Sequence, residues 1–334
     1  MNMRNWLDGQ MAPGRRKAMP ILSFPAVQLM GITVRELISD ADTQAQAMAM
    51  IARRCLTAAA VSMMDLSVEA ECFGAEITVT DDEVPTVSNI TVTGPEDAEK
   101  LVVPCAGARR AGLYVEAIAK ARRLITDRPV FAGVIGPYSL AGRLMGMTNI
   151  MMSCYEEPET VHTVLEKAAE FITNYILEYK KAGAHGVVMA EPAAGLISAD
   201  LAEEFSCRYI KKIVEAVQND DFILIYHNCG SSVRFMVPQL LDIGAAAYHF
   251  GNAVEMAEML KKMPGDILIM GNVDPTGVLR LGTPESVRTE TLRIMNACSG
   301  YGNFLISSGC DIPPMTPWEN IDAFFAAVDE FYER

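Results

Sequence analysis

The chain is predicted to fold as a (β/α)8 TIM barrel. Three observations carry that expectation. Short runs rich in Val, Ile, Leu and Ala alternate along the whole sequence with longer segments of helical period, and eight such runs can be counted. The runs are apolar on both faces rather than alternating, as strands of a parallel sheet covered on both sides should be. No Gly-rich phosphate loop of the dinucleotide-binding type follows any of them, which argues against an open doubly wound sheet.

In chain order the expected strands are Ile21–Phe24, Val61–Asp65, Val130–Ile135, Val187–Glu191, Phe222–His227, Ala246–Phe250, Ile267–Gly271 and Phe304–Ser308. The helical stretches between and after them include Thr43–Ala60, Gly107–Thr126, Glu159–Ala182, Ala199–Gln218, Pro284–Ala297 and Pro317–Tyr332. Two helix starts are marked by their residues. Thr316-Pro317-Trp318-Glu319 offers a capping Thr, Pro at the first helical position and Glu three residues after the cap, and Thr283-Pro284 repeats the cap-plus-Pro signal. One segment breaks the rhythm. After the second strand, Ala75–Thr80 and Thr86–Thr93 read as two short strands around a DDEVP turn, a β-hairpin insertion at the barrel mouth. No linker, low-complexity tract or repeat divides the chain, so residues 1–334 are expected to form a single barrel domain with 1–19 as an N-terminal helical or irregular extension.

Composition narrows the function. Half of the 334 residues are apolar, enough for a large core, and the net charge of −14 disfavours nucleic acid and anionic membrane surfaces. No apolar run reaches the ~20 residues of a membrane span, and the N-terminus has no apolar signal region. The eight cysteines are irregularly spaced, unlike a disulfide framework, which places the protein in a reducing cytoplasm with thiols free to act.

Barrel chemistry gathers at the C-terminal ends of strands. There this sequence sets Asp65, Glu191, His227, Cys229, His249, Asp274 and Cys310. His227 and Cys229 are two apart on an extended segment and so project to one side, and Cys310 follows the eighth strand. One imidazole and two thiolates suit Zn2+, and three protein ligands leave a fourth position open, the catalytic arrangement. Zinc with two thiolates is formally neutral, and such a site ionises an incoming thiol at neutral pH. Hydrolysis by a zinc hydroxide needs the same ligands. The plain alternative is packing: a strand-end His held by hydrogen bonds and buried cysteines, which is how Cys55, Cys72, Cys105, Cys154, Cys207 and Cys298 are read.

The runs IYHNCG at 225–230, GNVDPTGVL at 271–279 and ISSGCDIPPMTPWENIDAF at 306–324 resemble the uroporphyrinogen decarboxylase superfamily, and most closely its zinc methyltransferase branch. FAGVIGPYSLAGRLMG at 131–146 and GAHGVVMAEPAAGLIS at 183–198 extend the resemblance over most of the barrel. It implies zinc held by His227, Cys229 and Cys310. It also implies methyl transfer between methylcobalamin, carried on a separate corrinoid protein, and a thiol such as coenzyme M. The same open zinc serves the reverse direction, a corrinoid-dependent demethylase acting on a methoxylated or methylated donor. Porphyrinogen decarboxylases differ in two places: their arginine-rich run after the first strand is FPAVQLMG here, and their Gly-His-Gly is Gly309-Cys310-Asp311. A decarboxylase on the same barrel, or an idle homologue with structural zinc, is the remaining reading.

Further residues have candidate roles. Glu191 touches substrate or bonds across the mouth; Asp65 is a general acid or a partner of His227; Asp274 polarises a ligand or caps the next helix. His249 is a fourth ligand, a substrate contact or an orienting histidine. Tyr138 points into the pocket, and Arg143 contacts a sulfonate or carboxylate tail or is solvated. The 21 methionines line either an adaptable pocket or a plastic core.

Overall fold

A computed structural model of the protein describes residues 1–333. The strands are β1 (Ala60–Val61), β2 (Ile77–Thr78), β3 (Thr86–Val87), β4 (Val130–Ile135), β5 (Gly186–Ala190), β6 (Ile223–Asn228), β7 (Ala247–Phe250), β8 (Leu268–Val273) and β9 (Phe304–Ser308). Seven of them form one parallel sheet in the order β1-β4-β5-β6-β7-β8-β9. Every residue of these seven is buried, as the uninterrupted apolar runs require. β2 and β3 pair antiparallel over two residues each, Ile77 with Val87 and Thr78 with Thr86. The pairing therefore spans only part of the two short strands expected there.

Ile21–Phe24, expected as the first strand, is not one. Residues 18–21 instead run between the two sheet edges: Ala18 O accepts from Ala58 N at 2.8 Å, and Met19 N donates to Ile306 O at 3.0 Å. Pro20 has no N–H to offer a ladder, and Ile21 N donates to the Ser308 hydroxyl at 3.0 Å rather than to a backbone carbonyl. The curled sheet thus has seven strands and an irregular eighth position.

Alternation along the strands sorts the side chains into two cores. Phe131, Val188, Ile225, Met270 and Leu305 face the interior of the curl, whereas Leu224, Tyr226, Tyr248 and Phe250 pack outward under the helices. Helix Met3–Met11 closes the end where the strands begin. Met3 N donates to Asp220 O at 2.6 Å, just before β6, and the Trp6 ring lies 5.6 Å from Phe131. Continuing the inward alternation of Ile223 and Ile225 puts His227 at the opposite end, facing in.

Of the helix expectations, Pro284–Ala297 matches at both ends, with Thr283 capping Ser286 N. The Ala199–Gln218 segment carries a π turn at Glu203–Cys207 between its two α-helical parts. Thr316 does not cap the last helix. Its hydroxyl is buried without a partner, its carbonyl accepts from Gln28 Nε2 at 2.8 Å, and the helix runs Trp318–Glu333.

Candidate metal centre

His227 ends an inward-facing row on β6, and two residues later the chain turns out of the strand at Cys229. Cys310 arrives from the loop after β9, and the candidate ligand atoms of His227, Cys229 and Cys310 all lie within 4.8 Å of one another. Close backbone packing builds this convergence. A Cβ on Gly251 would fall 2.5 Å from both Cα and Cβ of Cys229, and one on Gly195 would fall 2.6 Å from Gly230 Cα. Only a residue without a side chain lets these loops approach so closely. Asn228 fixes the turn, donating to Glu191 O at 2.7 Å while its own side-chain oxygen accepts from Gly230 N at 2.8 Å.

A proton relay sets the tautomer of His227. The Ser307 hydroxyl donates to Met19 O at 2.7 Å, so it has only acceptor capacity left for His249 Nε2, also at 2.7 Å. His249 must then carry its proton on Nε2 and accept at Nδ1. The 2.7 Å contact between the two Nδ1 atoms is therefore a donation from His227 to His249. His227 Nε2 is left with a bare lone pair, buried and without a hydrogen-bond partner. That is the state a metal-binding imidazole needs. Burial, with His227 alongside, holds His249 well below the usual histidine range and so neutral, as the relay demands.

The neighbouring Cys310 thiol holds Cys229 below the ordinary thiol range, and Cys229 together with burial pushes Cys310 well above it. A soft nitrogen-and-sulfur donor set with an orphaned imidazole lone pair fits a zinc-type ion.

The remaining candidates fall elsewhere. His249 is not positioned as a fourth ligand or a substrate contact, because both its ring nitrogens are engaged in the relay. Asp65 is neither a free acid nor a partner of His227: its oxygens accept from the Ser67 hydroxyl, Arg110 Nη1 and the Tyr114 hydroxyl. Asp274 accepts from Thr276 N and Gly277 N, both at 2.9 Å, and caps the turn Pro275–Arg280. Glu191 is wholly buried, with Tyr138 N, Ser139 N and the hydroxyls of Ser139 and Ser206 donating to it. It ties the start of helix Pro137–Met145 to β5 and does not open onto the cavity. Tyr138 does not enter the pocket either; its ring is in the outer core and its hydroxyl lies 3.8 Å from Cys154 Sγ. Cys105, read as packing, is exposed.

Arg143 does line a cavity. A space of about 290 Å³ beside Cys229 and Gly230 is walled by Leu66, Ile135, Met147, Pro192 and Leu196, with Arg143 and Ser139 on it. Sequence reasoning did not single out Ser307, Asn228 or Ser139. The first two occupy strand ends, where alternation from Leu305 or Tyr226 could have assigned their faces; Ser139 is legible only through its contact with Glu191.

Comparison with known proteins agrees with this architecture. Residues 15–331 match the uroporphyrinogen decarboxylase (URO-D) family. A methylcobamide:CoM methyltransferase of Methanosarcina acetivorans is 30% identical over 273 residues, covering 77% of this chain and 75% of that protein. A methylated-thiol–coenzyme M methyltransferase of Methanosarcina mazei is 26% identical over 282 residues, covering 83% and 73%. In fold, a methyltransferase from Methanosarcina mazei superposes with a TM-score of 0.86 at 22% identity over 99% of both chains. The chain therefore belongs to the uroporphyrinogen decarboxylase (URO-D) family, and its likeness runs to the methyltransferase branch.

Proposed function

We propose that this chain is a zinc-dependent methyltransferase that moves a methyl group from a corrinoid, carried by a partner protein, to a small thiol such as coenzyme M. The observation that carries the reading is the orphaned Nε2 lone pair of His227 grouped with two thiols, one of which, Cys229, lies at the cavity wall. The relatives named as methylcobamide:CoM and methylated-thiol–coenzyme M methyltransferases supply the reaction class. Zinc bound by His227, Cys229 and Cys310 would ionise a thiol at neutral pH.

The chain's own residues do the rest. The Ser307–His249 relay keeps the proton of His227 on Nδ1 and its lone pair on Nε2. Leu66, Ile135, Met147 and Leu196 give the cavity in which the sulfur reacts a mostly apolar lining. In the transfer the sulfur–methyl bond forms as the cobalt–carbon bond breaks, and the electron pair of that bond stays on the corrinoid. Exposed Leu196, Phe235 and Met315 follow β5, β6 and β9, on the side of the site, and support a macromolecular partner there. The eight free thiols support a reducing cytoplasm, and no helix among the described residues is long and apolar enough to cross a membrane.

The apolar cavity wall also suits the body of a methoxylated or methylated donor, the demethylase direction. A porphyrinogen-like polycarboxylate is a poor match, since Arg143 is the sole cation among the residues lining that space.

The test is zinc content of wild type and Cys310→Ser, purified without added metal or chelator, followed by a methylation assay with methylcobalamin and thiol. About one zinc per chain, lost in the variant together with thiol methylation, is the expected result. A wild-type protein that neither contains zinc nor takes it up would sink the mechanism. Methylation of reduced corrinoid from a methoxylated donor, with no thiol turnover, would select the demethylase.

A further inference from the structure

The backbone alone brings the two candidate sulfur ligands together. Cys229 follows β6 and Cys310 follows β9, and the end of β7 is the spacer between their loops. A Cβ on Gly251 would fall 2.5 Å from Cys229 Cα and 3.0 Å from Gly309 O, and one on Gly309 would fall 2.9 Å from Asn252 N. Both cysteine loops thus pack against the backbone of residues 251 and 252, which a side chain at Gly251 would push apart. Each loop is also tied to the sheet. Gly251 N donates to Asn228 O at 3.1 Å, Gly309 N donates to Val273 O at 2.6 Å, and Ile312 N donates to Ile21 O at 3.0 Å. The two sulfurs held this way lie within 4.8 Å of each other, and both thiols are free. A disulfide closes at about 2.05 Å, a gap of the size that rotation about the two Cα–Cβ bonds covers.

Access to the pair is unequal. Cys229 lines the cavity beside Pro192 and Gly230, whereas Cys310 is half-buried and is not part of that lining. Elsewhere Cys55, Cys154, Cys207 and Cys298 are buried, Cys72 donates to Ala108 O at 3.2 Å, and Cys105 is exposed.

We propose that Cys229 and Cys310 are a site of reversible oxidation by peroxides, closing to a disulfide that excludes a bound metal. Only the exclusion rests on the metal reading above; the disulfide rests on the placement of the two thiols. Cys229 reacts first, because a peroxide reaches it through the cavity. Its sulfur attacks one peroxide oxygen, the O–O bond breaks, and the other oxygen leaves as water with the thiol proton, giving a sulfenic acid. The Cys310 sulfur then attacks the sulfenic sulfur. The S–S bond forms as the S–O bond breaks, and a second water leaves with the proton of Cys310. Two thiols are oxidised and one peroxide is reduced. With both sulfurs consumed, His227 is the one donor left of three, too few to hold zinc. Bound zinc in turn occupies both sulfurs and withholds them from the peroxide. A dithiol reductant reopens the site, as suits a transient, redox-sensing disulfide.

The test adds hydrogen peroxide in slight excess to the folded wild type, either stripped with a chelator or loaded with zinc. Remaining thiols are then blocked, non-reducing peptide mapping by mass spectrometry reads the products, and a chromogenic chelator reads zinc release. The stripped chain is expected to lose two hydrogens as a cross-link between the peptides carrying Cys229 and Cys310, and with it the ability to take up zinc. Dithiothreitol should restore both. The zinc-loaded chain should react more slowly and release about one zinc for each cross-link formed. With dimedone present, Cys310→Ser should trap a sulfenic acid on Cys229, and Cys229→Ser should trap none on Cys310; the reverse pattern would overturn the order of attack. Intact thiols at both positions in the stripped chain, or sulfinic acid on Cys229 without a cross-link, overturns the proposal and leaves the metal reading standing. A cross-link that forms equally fast in the loaded chain while zinc stays bound overturns the exclusion. A cross-link in a chain that never takes up zinc upholds the disulfide and removes the metal reading.

Discussion

At the scale of single residues, the metal-binding competence of His227 depends on an imidazole that touches no metal. His249 accepts the Nδ1 proton because Ser307 has already committed its own proton to Met19 O. Replacing His249 by Phe preserves volume and removes the acceptor, leaving His227 Nδ1 only the backbone carbonyl of residue 249 at 3.3 Å. Partners of this kind are worth about 10- to 100-fold in metal affinity, and the surviving carbonyl places the expected loss near the lower figure. Competition with a chromogenic chelator measures it, and unchanged affinity would show that the relay does not orient the ligand.

Among elements, the joint between β5 and helix Pro137–Met145 is made by Glu191 accepting from that helix's first turn. Burial pushes its carboxyl up to about 7 against an ordinary 4.5, despite the opposing hydrogen bonds from Ser139 and Tyr138. The folded state therefore keeps a proton that the unfolded chain has released. Stability from this group is present below the unfolded value and is lost as pH rises through about 7. Glu191→Gln places an amide N–H against backbone donors, at a cost of about 1–3 kcal/mol. The melting-temperature gap between wild type and Glu191→Gln should be widest near pH 5 and narrow toward about pH 8. Glu69, also raised to about 7 by burial, contributes to the slope of both proteins and cancels in the difference. A gap that is constant with pH would mean that Glu191 is ionised throughout.

Across the whole molecule, the two ends of the curled sheet have separate duties. Helix Met3–Met11 seals one end with Met3, Trp6, Leu7 and Met11, while the candidate ligands His227, Cys229 and Cys310 and the cavity occupy the other. Trp6→Ala removes a half-buried ring from Phe131 and should cost about 2–3 kcal/mol, somewhat below a fully buried aromatic. Urea unfolding would register that loss. Zinc stoichiometry at low denaturant should stay that of wild type; a parallel fall would mean that the sealed end and the metal end are mechanically coupled.

The sequence by itself determined the parallel α/β class, the order of the buried strands from Val130 onward and the pairing of His227 with Cys229, to which the family resemblance added Cys310. Each is a local property: hydrophobic runs set by burial, helix period, and two donors spaced to share one face of a strand end. What only the tertiary structure decided are the relations between distant segments. Pro20 and the Ser308 hydroxyl turn the expected first strand into an irregular bridge, because the hydrogen bond that Ile21 makes depends on a side chain 287 positions away. Asp65 and Tyr138 read as mouth residues from their positions at an element's end. Arg110, Tyr114 and Cys154 draw them inward, and no local pattern announces those partners. The same holds for the tautomer of His227, fixed by a chain of donors reaching Met19.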